Sequence, residues 1–208
     1  MICVSVANIS FSGLSKIISE FEMIELRLDL LDFTDEEYQQ ILSKNIPAIA
    51  CYRYGNANDD TRIEALKKAI DLGAEYVDIE IDASKYLVGR MISYAQSKNC
   101  KTILSYHNFN ETPSSDELEK IIAETKNLGA DYTKLATMAN SENDVEIVLD
   151  LYKNKENLIA FCMGEIGKKS RIECVNLGAE YTYAALSKEK QTANGQFTYT
   201  DMKKIFKQ

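Results

Sequence analysis

The chain has 208 residues, of which 45% are hydrophobic and 27% are charged. This length suits one domain with a well-buried core, and the composition is ordinary for a globular protein. The formal net charge of −8 disfavours nucleic acids and anionic membrane surfaces as partners, although a local basic cluster could still bind a small anion.

The N-terminal stretch and the cysteines predict a cytoplasmic protein. The stretch MICVSVANIS lacks the basic segment that precedes the apolar core of a secretory signal. No apolar run approaches the roughly 20 residues that a membrane span needs. The five cysteines fall mostly in apolar segments, with no C-x-x-C spacing. We therefore expect free thiols in a reducing compartment and, with a single histidine in the chain, no metal site.

Apolar and β-branched runs alternate with helical patterns along the whole chain. The predicted strands lie at residues 2–6, 23–28, 46–52, 76–81, 101–106, 131–136, 158–163 and 180–185. The helical patterns between and after them occupy residues 12–21, 35–44, 59–73, 84–98, 114–129, 142–154, 169–178 and 200–208. Several start with a capping residue, such as Ser114 and Thr200.

Eight alternating strand–helix units predict an α/β fold, a (β/α)8 TIM barrel that spans residues 1–208 as a single domain. An open doubly wound sheet is the alternative. The dinucleotide-binding form of that sheet is disfavoured, because no G-x-G-x-x-G turn follows any predicted strand.

A five-residue repeat, Leu-Gly-Ala-acid-Tyr, marks three junctions between a helix and a strand. Its glycines are Gly73, Gly129 and Gly178. Glycine after a helical run is typical of a helix C-terminus, because it adopts a left-handed backbone without Cβ strain. Aligning the three copies places Asp78, Lys134 and Tyr183 at equivalent positions of their strands.

Strand alternation predicts several ionisable side chains in the barrel interior. In the second strand, the outward apolar set is Ile24, Leu26, Leu28 and Leu30. The ionisable residues expected to face inward or to end a strand at the mouth are Glu25, Arg27, Asp29, Arg53, Asp78, Glu80, Asp82, His107 and Lys134. Barrel interiors are normally apolar, and an unpaired buried charge costs several kcal/mol. We interpret the set as an active site; a purely structural ion-pair network is the alternative.

Lys134 and His107 have a specific chemical use together. We expect burial and nearby cations to lower the pKa of Lys134, so that more of it is a neutral amine. A neutral amine attacks a ketone to form an imine, and the protonated imine acidifies the adjacent C–H bond. His107 is the only histidine in the chain, and an imidazole can move a proton near neutral pH.

Seven segments, in this order and spacing, resemble the type I 3-dehydroquinate dehydratases, the Schiff-base enzymes of the shikimate pathway. They are IELRLDLL (24–31), CYR (51–53), VDIEID (77–82), SYHNF (105–109), YTKLA (132–136), CMGEIGKKSRI (162–172) and GQFTYTDMK (195–203). The resemblance implies a (β/α)8 barrel that converts 3-dehydroquinate to 3-dehydroshikimate by losing water. It also implies a homodimer that needs no cofactor and acts in aromatic amino acid biosynthesis.

The resemblance implies a role for each matching residue. Lys134 would form the imine with the C3 ketone, and His107 would take the C2 proton and help the C1 hydroxyl leave, in a syn elimination. Glu25 and Arg27 would bind ring hydroxyls, and Arg171 would clamp the substrate carboxylate. The other substrate-binding residues would be Arg53, Thr192 (where a serine is common) and Gln196 on a closing loop. Just behind these we expect Asp78, Glu80 and Met163.

Two departures from the family pattern concern the histidine and the barrel floor. The family usually has a glutamate partner for the histidine, followed by two glycines, where this sequence has Ala57, Asn58 and Asp59. Glu80, Asp59 and Asp60 remain as candidate partners. The sequence also begins directly at strand one, without the hairpin that closes the floor in many members, so we expect another seal.

Two other functions remain as alternatives. One is another imine-forming barrel, such as a class I aldolase, which would share Lys134 but break a C–C bond. The other is a barrel that binds a shikimate-like ligand without catalysis, to which only the altered loop after the third strand points.

Overall fold

The computed structural model describes residues 1–53, 55 and 57–207, and eight parallel strands form a nearly closed barrel in them. The strands are β1 (Ile2–Val6), β2 (Met23–Arg27), β3 (Ala48–Cys51), β4 (Tyr76–Glu80), β5 (Lys101–Asn108), β6 (Tyr132–Met138), β7 (Leu158–Met163) and β8 (Thr182–Ala185). The sheet order is β7-β6-β5-β4-β3-β2-β1-β8, and all neighbours pair in parallel. The predicted (β/α)8 TIM barrel is confirmed.

Helices connect the strands and cover the outside of the barrel. They are α1 (Phe11–Ile17), α2 (Asp35–Leu42), α3 (Asp59–Asp71), α4 (Lys85–Ser97), α5 (Ser115–Asn127), α6 (Glu142–Asp150), α7 (Gly164–Gly167), α8 (Ser170–Asn176) and α9 (Tyr199–Phe206). Ser114 caps α5, as predicted. The predicted cap of the last helix at Thr200 is wrong, because the Thr198 hydroxyl accepts the Asp201 N–H at 3.2 Å and starts α9 earlier. Among the described residues, no helix combines the length and apolarity that crossing a bilayer requires.

The repeat glycines end their helices in the same way. Gly73, Gly129 and Gly178 have φ angles of +112°, +86° and +114°. After each glycine, the alanine N–H bonds the carbonyl five residues earlier, as in a Schellman motif, at 2.9 Å for Ala74. A fourth copy uses Asn99 (φ +57°) in place of glycine. This shared geometry starts β4, β5, β6 and β8 in similar ways.

Strand alternation sorts the side chains of β2 and β4. Ile24, Leu26 and Val77 pack in the apolar core beneath the helices, whereas Glu25 faces the interior cavity. The predictions that the outward apolar set continues to Leu30 and that Asp82 faces the interior are wrong, because β2 ends at Arg27 and β4 at Glu80, and the alternation ends with the strand. Asp82 is exposed. Leu28–Leu30 form a 3-10 turn and Leu30 is 36% exposed. Within this turn, Asp29 binds the Arg27 guanidinium at 2.7 Å.

Aromatic rings fill the floor of the barrel, at the start of the strands. Tyr76 and Tyr181 belong to an interior apolar cluster, against which Tyr132 packs. The Lys101 ammonium lies 5.1 Å from the Tyr76 ring centroid and 5.8 Å from that of Tyr132. A ring face attracts a cation at these distances. This group of side chains seals the floor from within.

Candidate active site

A cavity of about 260 Å³ lies at the carboxyl ends of the strands, where TIM barrels carry their active sites. The predicted site residues that line it are Glu25, Arg27, Arg53, Glu80, His107, Lys134, Met163, Arg171, Thr192 and Gln196. Asp78 is buried beside them and is bonded to Lys134. The structure therefore brings the predicted residues together.

Lys134 projects from β6 into the barrel interior and is 4% exposed. Its Nζ donates hydrogen bonds to Asp78 Oδ2 at 2.8 Å and to Glu25 Oε1 at 3.2 Å. Burial lowers the pKa of this amine, and nearby Arg53 adds to that effect, but the two carboxylates outweigh both and raise the pKa above its usual value. The expectation of a lowered pKa is wrong, and Lys134 rests as an ammonium ion.

Asp78 forms ion pairs with both Arg53 and Lys134 in the barrel interior. Arg53, which follows β3, donates to both of its carboxylate oxygens, at 2.9 and 2.8 Å. Ser105 on β5 donates a further hydrogen bond at 2.6 Å. Burial favours the neutral acid, but Arg53 and Lys134 together lower the pKa of Asp78 far below its usual range. Asp78 is therefore a fixed negative charge.

Glu25, Cys51 and Asp78 each have one potential metal-ligand atom, and these three atoms lie within 4.8 Å of one another. At this spacing they could together hold a metal ion. Both carboxylates already bind the Lys134 ammonium. Burial raises the pKa of the Cys51 thiol, which disfavours the thiolate form that binds metal ions. This cluster fits cationic side chains better than a metal ion.

His107 faces the same cavity from the end of β5. Its ring is nearly parallel to that of Phe109, at an interplanar angle of 13° and a centroid separation of 6.1 Å. Burial lowers the pKa of His107 well below its usual value, and the positive charges of Arg53 and Lys134 lower it further. The imidazole is therefore neutral and able to accept a proton.

None of the three candidate acids binds His107 in the described part of the chain. Glu80 Oε2 accepts a hydrogen bond from Arg62 at 2.9 Å. Asp59 and Asp60 accept hydrogen bonds from hydroxyl groups at the start of α4. Within residues 1–53, 55 and 57–207, His107 makes no hydrogen bond or ion pair, so its orientation rests on packing.

Arg171, in α8, is 1% exposed and its guanidinium carbon lies 4.4 Å from the centroid of the Phe161 ring. Its buried Nε and Nη2 have no hydrogen-bond partner among the described residues. Burial lowers the pKa of Arg171 to about 10, which leaves it cationic at neutral pH. A buried guanidinium without an acid partner is costly, and its planar fork matches a carboxylate ligand.

Local packing places Arg171 at the cavity. The hydroxyl of the preceding residue, Ser170, donates to the Gly167 carbonyl at 2.6 Å and accepts from the Cys162 N–H at 2.7 Å. A Cβ on Gly167 would lie 2.6 Å from the Cβ of Cys162, so this close approach requires glycine. The start of α8 is thereby tied to the end of β7.

The loop after β8 covers the cavity with Thr192 and Gln196. Gln196 is 3% exposed, and its Oε1 accepts hydrogen bonds from the Thr192 N–H at 3.0 Å and from the Thr192 hydroxyl at 3.3 Å. Lys190 donates to the Asn8 carbonyl after β1, and the Gly164 N–H after β7 donates to a loop carbonyl at 3.1 Å. The loop is therefore held over the cavity from both sides.

Several cavity-lining residues were not predicted as site residues. They are Ser5, Phe109, Ala136, Phe161, Tyr183 and Ala193. Strand alternation could have indicated Ser5, Ala136 and Phe161, and the repeat had already placed Tyr183 at the level of Lys134. These side chains carry no charge at neutral pH, so a prediction based on charged residues at inward positions does not include them.

Comparisons with known proteins agree with this geometry. Residues 2–208 match the family model described as type I 3-dehydroquinase. The 3-dehydroquinate dehydratase of Methanocaldococcus jannaschii is 33% identical over 220 residues, which cover 100% of this chain and 98% of that protein. That of Thermococcus onnurineus is 34% identical over 190 residues, covering 89% and 86% respectively. The crystal structure of the 3-dehydroquinate dehydratase from Aquifex aeolicus matches with a TM-score of 0.85 at 28% identity, covering 100% of this chain and 97% of that one. The chain belongs to the type I 3-dehydroquinase family.

Proposed function

We propose that this type I 3-dehydroquinase, a hydro-lyase, removes water from 3-dehydroquinate through an imine between the substrate ketone and Lys134. The observation that carries the proposal is the buried Lys134 amine, which faces one cavity with the neutral His107 and with Arg171, two of whose nitrogens have no hydrogen-bond partner among the described residues. The product is 3-dehydroshikimate, which places the reaction in the shikimate pathway. The iminium ion itself is the electron sink, so the reaction needs no metal or added cofactor.

Substrate binding rests on charge and hydrogen bonding. Arg171 binds the substrate carboxylate with the nitrogens that have no partner in the described chain. Glu25 and Arg27, both on β2, bind the hydroxyl groups of the substrate ring. Thr192 and Gln196 cover the ring and exclude water, which strengthens the electrostatic interactions inside.

The reaction proceeds in three steps. Lys134 passes a proton to Glu25 along their hydrogen bond, and its amine attacks the C3 ketone carbon. The ketone oxygen then takes one proton from the attacking nitrogen and the other back from Glu25, and it leaves as water to give the iminium ion. His107 then takes the C2 proton, and the C–H electrons move into the iminium to give an enamine. The enamine expels the C1 hydroxyl, which His107 protonates to water, and hydrolysis of the imine releases product and Lys134.

We also propose that the protein works in the reducing cytoplasm as a homodimer. The five cysteines are free and buried, which supports a reducing compartment. The dimer is proposed on the resemblance to the family alone, and sedimentation equilibrium would measure it.

Turnover of 3-dehydroquinate, followed by the ultraviolet absorbance of the conjugated product, tests this function. We expect the protein to generate product, and Lys134→Ala to lower kcat by at least about a thousandfold while calorimetry still detects ligand binding. The exposed Lys153 provides the control, and Lys153→Ala should turn over normally. Absence of product with the unaltered protein, or near-normal turnover by Lys134→Ala, would contradict the proposal.

A further inference from the structure

The ring of Tyr183 forms one wall of the Lys134 environment. The Lys134 Nζ lies 4.0 Å from the ring centroid, and Tyr183 also lines the cavity. Tyr183 is 3% exposed on β8, where Phe161 and Tyr181 pack against it at centroid separations of 5.9 and 5.6 Å. Packing thus holds one face of the Tyr183 ring toward the Lys134 nitrogen.

Hydrogen bonding at this nitrogen changes when the imine forms. An ammonium group has three N–H donors, and two of those on Lys134 serve Asp78 and Glu25. When the amine attacks the ketone and water leaves, the iminium nitrogen keeps a single hydrogen. At most one carboxylate can then keep a direct hydrogen bond to the nitrogen, although the positive charge remains.

A ring face needs no hydrogen atom to attract a cation. It interacts with the charge through the quadrupole of the π-system, and the interaction is strongest where water is excluded, as it is here. In the resting ammonium, hydrogen bonds to two carboxylates already compensate the positive charge. The iminium keeps at most one of them, so the attraction of the ring face contributes more to the iminium and to the transition states that flank it than to the ammonium.

We propose that Tyr183 is a further catalytic residue, whose ring face stabilises the positive charge of the iminium ion on Lys134. This inference rests on the proposed imine. The ring makes no bond and exchanges no proton; it only lowers the free energy of the iminium ion relative to the resting ammonium, whose charge the two carboxylates compensate.

Paired substitutions at Tyr183 and Tyr181 test the inference. Tyr183→Phe keeps the ring and should retain kcat/KM within about twofold. Tyr183→Leu removes the ring and should lower both kcat/KM and the rate at which borohydride traps an adduct by about 10- to 30-fold. Tyr181 is buried against Tyr183 but is absent from the cavity lining. Tyr181→Leu therefore controls for lost core volume and should slow both rates much less.

Fluorinated phenylalanines at position 183 separate the electrostatic effect of the ring from its packing. They also test the inference if Tyr183→Leu does not fold. Each added fluorine weakens the negative face of the ring while nearly preserving its shape. The logarithm of the trapping rate should fall steadily from phenylalanine to its trifluoro derivative. A flat series, or equal losses in Tyr183→Leu and Tyr181→Leu, would overturn the role of Tyr183. Failure of the unaltered protein to form any adduct would instead contradict the proposed function, and the inference with it.

Discussion

At the scale of single residues, the neutrality of His107 decides whether the site can abstract a proton. The imidazole is buried and shares the cavity with cations, among which Arg53 and Lys134 have the largest effect, and both burial and charge disfavour its protonated form. The negative charge of Asp78 raises the pKa of His107, but Asp78 already forms an ion pair with Arg53. A base that resists protonation stays active at lower pH than a free histidine does.

The pH profile of kcat/KM should show this directly. A general base works in its unprotonated form, so the acid limb should have its midpoint well below 6.5, the ordinary pKa of histidine. Arg53→Gln removes the cation that lowers the pKa of His107 most and should move the midpoint upward by roughly one pH unit. A midpoint at or above 6.5 in the unaltered protein, or one that Arg53→Gln leaves in place, would exclude His107 as this base.

Lys134 shows where reasoning from sequence is limited at this scale. Strand alternation and the repeat predicted its inward position, and burial predicted a lowered pKa. The acids that reverse the shift lie on other strands, 109 residues away in the case of Glu25 and 56 in the case of Asp78. Both acids were predicted to face inward, but their distances to the amine depend on register, which is a property of the folded sheet.

At the scale of elements, the loop after β8 meets the turn after β7 through two glycines. Gly164 and Gly195 both have positive φ, +82° and +73°. A Cβ on Gly195 would lie 2.3 Å from the Gly164 carbonyl oxygen and 2.7 Å from its carbonyl carbon. Backbone atoms cannot move aside as a flexible side chain can, so the loop can make this contact only if residue 195 lacks a side chain.

Gly195→Ala should therefore displace the loop that carries Gln196. We expect KM for 3-dehydroquinate to rise by about 10- to 100-fold, because the groups that cover the substrate lose their position. Steady-state kinetics measures this change. Gly89→Ala, in α4 with no atom within 4 Å of the added Cβ, is the matched control and should leave KM unaltered. An unchanged KM in Gly195→Ala would show that the contact does not position the loop.

The repeating helix–glycine–strand junction made most of the fold predictable. Its glycines allowed the copies to be aligned, and the structure confirms the junctions at Gly73, Gly129 and Gly178. The junction at Asn99 was not predicted, because the repeat is defined by glycine, whereas asparagine adopts the left-handed backbone there. The turn at Leu28–Leu30 was not predicted either, since its leucines continue the alternating pattern of the strand although β2 ends at Arg27.

At the scale of the whole molecule, the barrel encloses charged side chains that several strands share. Asp78 on β4 binds Arg53 after β3 and Lys134 on β6, and Glu25 on β2 binds Lys134 as well. Two anions thus balance two cations within the described interior cluster. Removing one member leaves a buried charge without compensation, which is far more costly than losing a surface pair.

Asp78→Asn should lower the free energy of unfolding by about 3–5 kcal/mol, measured by urea denaturation at pH 7. Adding Lys134→Met removes the uncompensated cation and should recover about 1–3 kcal/mol. Asp71→Asn removes an exposed partner of Lys98 and should change stability by less than about 1 kcal/mol. Strict additivity of the two interior substitutions would contradict the coupling between Asp78 and Lys134.

The central claim is that Lys134 forms a covalent imine with the substrate, and borohydride trapping tests it most directly. The protein is incubated with 3-dehydroquinate and sodium borohydride, digested, and mapped by mass spectrometry. We predict one substrate-derived group per chain, attached to the peptide that carries Lys134, and no adduct in Lys134→Ala. An intact mass that borohydride leaves unchanged, or an adduct on another lysine such as Lys101, would contradict the account.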